Sequence, residues 1–160
     1  MSTMQKNIVS LVEVVKALAL ATRTTWSVYD GDVYENWNSA EVMYGSVNVG
    51  LENITYDDNL CTYRLLIHYG DRLLQDGSNA NEVYADAIRT LQTVVNGLNT
   101  IDGVGVPAQV VYVPFEQKFM DNLAGAYAHV DVTIESELGE CGQLFEDDWR
   151  LGDELPATLT

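Results

Sequence analysis

The chain carries 160 residues, 47% hydrophobic and 20% charged, with 24 acids against 8 bases and a formal net charge of −16. That length suits one domain with a single sizeable core, and the apolar share excludes a disordered chain. A duplex-DNA binder needs clustered Lys and Arg and a spanning helix about 20 apolar residues, whereas the purest apolar run, Ala17 to Ala21, has five.

Lys6 followed by Ile8, Val9, Leu11 and Val12 imitates a secretion signal, but Glu13 and Lys16 interrupt it. Segment 3–21 reads instead as an amphipathic helix, with Met4, Ile8, Leu11, Val15 and Leu18 on the face that lies on a sheet. Residues 22–41 then read as a short strand, a turn at Asp30-Gly31-Asp32 and an aromatic loop. From 42 to 75 the pattern is a long hairpin. Val47, Val49 and Leu51 alternate on one strand, and Tyr63, Leu65, Ile67 and Tyr69 on the other. Asp57-Asp58-Asn59 supplies the tight turn between them.

Asn79 followed by Glu82 has the form of a capping box opening a second helix from about Ala80 to Leu98. Its stripe is Val83, Ala87, Leu91, Val94 and Leu98, widened by Tyr84, Ile88 and Val95. Residues 99–107 read as a loop. A second hairpin runs through Gln109–Met120, a turn at 121–125, and Ala126–Glu135. Its return strand alternates Ala126, Ala128, Val130, Val132 and Ile134 with Tyr127, His129, Asp131 and Thr133. Pro114 requires an edge position or a bulge. The expected fold is therefore α+β: an antiparallel sheet from two long hairpins, with two helices packed on one face, in the order α-β-β-α-β-β. Residues 1–135 form this domain. Residues 136–160 read as an acidic C-terminal arm, whose Leu144, Phe145 and Trp149 require a surface to dock on, its own or a neighbour's.

Catalytic, cofactor and metal residues are all expected to be none. His68 and His129 read as strand residues, exposed on a face or partly packed. Cys61 and Cys141, 80 residues apart, are too few for a disulfide framework and fit reduced thiols in a chain folded in the cytoplasm. Cys61 and His68 have no third ligand at zinc spacing. Asp30-Gly31-Asp32 lacks the calcium-loop pattern, and Gly103-Val104-Gly105 lies on the wrong side of a helix for a dinucleotide fingerprint. Asn53-Ile54-Thr55 is a glycosylation sequon by pattern only.

Two stretches are more than generic α+β: Tyr69-Gly70-Asp71-Arg72-Leu73-Leu74-Gln75-Asp76-Gly77-Ser78-Asn79, and the run from Phe115 through Gln117, Lys118, Phe119, Asp121, Ala124 and Gly125 to Ala128. Together they resemble a tail terminator-like neck and tail protein of tailed bacteriophages, in the crAss-like group infecting gut Bacteroidales. The resemblance covers roughly residues 5–135. It implies a virion structural protein and not an enzyme, assembled in the host cytoplasm as a closed homo-oligomeric ring. Such a ring joins neighbouring portal, neck and tail proteins and leaves a channel through which DNA passes without specific binding; no membrane is involved. An acidic subunit would repel DNA phosphates from the channel wall.

Candidate interface residues are Phe115, Phe119, Asp121 and Asn122 around the second hairpin turn, and Phe145 and Trp149 in the arm. Phe115 and Phe119, four apart in a strand, point the same way, into either the core or a contact. Phe145 and Trp149 would share one face of a helical turn. The alternative class is a soluble binding or adaptor module with a cystatin-like helix-on-sheet fold. An enzyme with a site invisible to motifs is the third reading.

Overall fold

Asn7 starts the first helix. Its side-chain oxygen accepts the Ser10 N–H at 3.0 Å, and the Ser10 hydroxyl accepts the Asn7 N–H at 3.0 Å, which satisfies two N–H groups that the helix cannot. The computed structural model describes residues 7–38, 42–118 and 122–135. They form α1 (Ile8–Leu20), β1 (Ser27–Asp30), α2 (Val33–Trp37), β2 (Ser46–Asp57), β3 (Leu60–Arg72), α3 (Ala80–Asn99), β4 (Val104–Gly105), β5 (Tyr112–Lys118) and β6 (Leu123–Glu135). Met4, the first residue of the expected stripe, lies outside the described residues.

The β2–β3 hairpin forms where the alternation places it; in the second, Leu123–Gly125, expected in the turn, belong to β6 and pair with β5 and β3. Asp58 and Asn59 adopt φ of 50° and 69° between β2 and β3, the left-handed pair that a two-residue turn requires. β3 and β6 pair along their whole lengths, from Leu60↔Glu135 to Arg72↔Leu123. β5 pairs β6 on its other side and ends in a bulge between Glu116 and Lys118. Pro114 thus sits on an edge strand, where its missing N–H breaks no ladder.

The architecture is α+β, but the sheet is mixed and the helices number three among the described residues. β1 runs parallel to β2 (Ser27↔Ser46 to Asp30↔Val49), and the order is β1-β2-β3-β6-β4 with β5 beside β6. The expected α-β-β-α-β-β order is corrected by three short elements, of which β1 is the short strand read in 22–41. β1 has four residues, α2 five and β4 two, too few for a period to emerge. The Asn79–Glu82 capping box is also corrected. Asn79 precedes α3 without a side-chain cap; its Oδ1 accepts the Leu74 N–H at 2.7 Å and its Nδ2 donates to the Arg72 carbonyl at 3.0 Å. The side chain ties the end of β3 to the start of α3.

α1 and α3 cover one face. Leu11, Val15 and Ala19 join Val83, Ala87, Leu91, Val94 and Leu98 over the inward residues of β2, β3 and β6. Ala124, Ala126 and Ala128 are all buried on that face, and such small side chains let α3 lie close to β6. Asp71 borders this core, half-buried at the end of β3. Burial raises its carboxyl pKa; the Arg72 N–H, donating to Oδ1 at 2.7 Å, opposes the rise and the Asp86 carboxylate adds to it. The fold therefore disfavours the carboxylate. The penalty is absent where Asp71 is protonated in both states, develops as pH rises through its unfolded pKa of about 4, and is complete above the raised folded value. Asp71→Asn is expected to raise the urea midpoint slightly at pH 7, with the gain vanishing below about pH 3; an equal gain at both pH values counts against this origin.

Candidate interaction surface

The opposite face of the sheet carries a second, smaller core under α2. Asp32 caps this short helix by accepting the Tyr34 and Glu35 N–H groups. Val33, Trp37, Val42, Phe115 and Leu123 are buried together there. Trp37 is fully buried, and its indole Nε1 donates to the Ser46 hydroxyl at 3.0 Å. Its ring lies over Gly70, where a side chain would come within 2.7 Å of it.

His68 extends this cluster into a groove. Its ring is 9% exposed and stands 5.9 Å from Trp37, 6.1 Å from Phe115 and 5.3 Å from Tyr127. The groove, about 260 Å³, is lined by Val33, Tyr34, Leu66, His68, Phe115, Tyr127 and His129. A cleft of about 450 Å³ shares Val33, Tyr34, Leu66 and His68 and continues past Asn48 and Gly50 to Glu52. Glu52 Oε1 lies 2.6 Å from His129 Nδ1 and accepts from Arg64 Nε at 3.3 Å, while Arg64 Nη1 pairs with Asp131 at 3.7 Å. These are half-exposed pairs and orient one another more than they stabilise. Aromatic walls with imidazole and carboxylate groups along the floor form a surface suited to stacking and hydrogen bonding. Among the described residues, no group of three or more His, Cys, Asp or Glu is placed to hold a metal ion.

A third feature is the free edge of β2. β1 covers it only from Ser46 to Val49, so among the described residues Leu51–Asp57 has a strand neighbour on the β3 side alone. That stretch is exposed throughout, with Leu51, Ile54 and Tyr56 43%, 51% and 54% accessible. An open edge bearing apolar side chains is a template for pairing with another chain.

The expected interface residues separate. Phe115 is buried in the second core of the single chain. Asn122 lies exposed at the β5–β6 turn with φ 54°, and its carbonyl accepts the Leu73 N–H at 3.1 Å. Phe119, Asp121, Phe145 and Trp149 lie outside the described residues, as does the whole 136–160 arm. Cys61 requires a correction: it is buried and disulfide-bonded, not the reduced thiol expected. The sequence reading missed the groove, although its signal was present. Leu66 and His68 share one face of β3, Tyr127 and His129 the same face of β6, and the register sets Leu66 opposite His129 and His68 opposite Tyr127.

No protein-family model matches the sequence, and no curated protein matches it.

Proposed function

We propose that the chain is a ring-forming structural subunit of a phage neck or tail, tail terminator-like, which joins portal and neck to tail and leaves a channel for the genome. The observation that carries this reading is the open edge of β2, seven exposed residues with Leu51, Ile54 and Tyr56 among them. A heterologous contact repeated through such an edge closes a ring when its rotation allows. The resemblance of Tyr69–Asn79 and Phe115–Ala128 to terminator-like proteins supports the same reading. So does the charge of −16, which would keep DNA phosphates from adhering to a channel wall. The aromatic groove favours a second reading, a binding or adaptor module that recognises its ligand beside α2, on the face opposite α1 and α3.

The test is the mass of the purified protein across a concentration series, alone and with its neck and tail neighbours, together with its position in virion density. A discrete high-order ring supports the proposal. A monomer at every concentration, absent from particles, overturns it and leaves the binding module. Ile54→Asp is expected to abolish ring formation while leaving thermal unfolding within about 0.5 kcal/mol of native, since the residue is half exposed in the single chain. Intact assembly would show that the β2 edge is not the contact.

A further inference from the structure

The loop between α1 and β1 is tied down from beneath and presents two large side chains above. The Thr22 hydroxyl donates to the Ala19 carbonyl at 2.6 Å and bonds the Thr25 hydroxyl at 2.8 Å. Thr24 bonds the buried Thr90 of α3 through their hydroxyls, and its carbonyl accepts from the Tyr69 hydroxyl at 3.2 Å. The Trp26 N–H donates to the Gly45 carbonyl at 2.8 Å. Arg23 and Trp26 are nevertheless exposed, Trp26 at 65%. The ordering of this loop is met within the fold, so little is left to lose on contact, and Trp and Arg are the side chains that most often anchor an interface.

We infer that the Arg23–Trp26 loop of one copy enters the groove beside α2 of the next copy, Trp26 against Tyr34 and Tyr127 and Arg23 against Glu52. This rests on the ring reading above and names its contact. Three features select a second copy. The groove is continuous with the open edge of β2, because the cleft that shares Tyr34, Leu66 and His68 runs on to Leu51 and Glu52, where the edge begins. A chain docked along that edge therefore meets the groove as well.

Charge and aromatic character also match. Among the described residues, Asp32 and Glu52 line the groove and cleft and no Lys or Arg does, a setting that suits an indole and a guanidinium. The bonds of Glu52 to His129 and Arg64 both use Oε1, so Oε2 can accept a guanidinium N–H. Arg64 beside it is balanced by Asp131. Finally, the loop cannot reach the groove of its own chain. Trp26 lies beside Gly45, and Glu52 is seven residues farther along β2, about 20 Å away. The contact is therefore head-to-tail, the kind that closes a ring when its rotation allows.

Sedimentation of the full-length chain over a concentration series tests this with three variants. Trp26→Ser is expected to raise the concentration for half-assembly at least about tenfold, with an unchanged thermal transition because the side chain is exposed. Arg23→Glu and Glu52→Arg each set like charges across the contact and are expected to stay monomeric where the native chain assembles. Mixed in equal amounts they match in both directions, and oligomers are expected to return. A role of either residue within its own chain would give no such reciprocal rescue. Should Glu52→Arg fail to fold, Trp26→Ser and Arg23→Glu decide alone. A native chain that is monomeric throughout overturns the ring reading and this inference with it. Native rings that persist in Trp26→Ser, or charge variants that fold but do not rescue one another, overturn this inference and leave the ring reading standing.

Discussion

Leu91→Asp is expected to leave the chain unfolded at room temperature. Leu91 is 1% exposed at the centre of α3, in the core shared with α1 and the sheet. Truncating a buried leucine costs about 2–5 kcal/mol, and an unpaired buried carboxylate adds a desolvation penalty of several kcal/mol unless it takes up a proton. Among the described residues no buried Lys or Arg is available to pair it; the buried polar side chains are Thr25, Ser46, Asn48, His68 and Thr90. Together these terms match most of the ~5–15 kcal/mol that holds a domain of this size. Circular dichroism with urea titration is the measurement, and Leu91→Ala is the control, expected to fold with a midpoint lowered by about 2–5 kcal/mol of stability. A cooperative, native-like transition in Leu91→Asp would mean that α3 does not face the sheet.

That expectation could be written from sequence because α3 repeats its apolar residues for five turns. The same holds for the β2–β3 hairpin, where alternation and turn residues agree on one register, and for the alternation of β6 from Ala126 on, though not for its start, since Leu123–Gly125 of the expected turn are strand. Legibility failed where elements were shorter than the period that would reveal them. α2 is one turn of helix set by a single cap, Asp32, and its apolar residues Val33 and Trp37 read equally well as loop aromatics. β1 pairs parallel to β2, a partnership no local pattern encodes. Asn79 shows a different failure. A capping motif names a side chain able to cap a helix, but the same amide can bond the strand end, and packing makes that choice.

The face opposite α1 and α3 was the least legible part, for a related reason. Strands with one buried face and one polar face give a clean alternation, and that alternation assigns Leu66, His68, Tyr127 and His129 to solvent. What the pattern omits is that α2 crosses this face and converts one end of it into a second core. His68 then becomes a buried ring among aromatics, while Arg64, four residues earlier on the same face, stays half exposed with Glu52 and Asp131. The boundary between the two is the groove. Cys61 is a matching case on the other face: spacing along the chain cannot say that β3 carries it into a disulfide.

Trp37 and Gly70 are expected to be strongly coupled, and the coupling tests whether the second core exists as described. Trp37→Ala removes the largest fully buried side chain and strands the Ser46 hydroxyl that accepts from its indole N–H; a loss of about 3–5 kcal/mol follows. Gly70→Ala inserts a Cβ 2.7 Å from the Trp37 ring. The ring is held by the Ser46 bond and by His68 at 5.9 Å, so the added methyl forces a shift costing about 1–3 kcal/mol. With Trp37 already truncated, the same methyl enters the space the indole left and its cost falls toward zero. Urea unfolding of the two single variants and the double variant should therefore give a coupling energy of about 1–3 kcal/mol, well beyond the ~0.5 kcal/mol scatter of independent sites. In Trp37→Ala, amide exchange should quicken in α2 and around Val42 while α3, in the other core, keeps its protection relative to global unfolding. Additive losses, or loosening spread evenly over both faces, would show that Trp37 does not lie over Gly70 and that α2 does not build the groove.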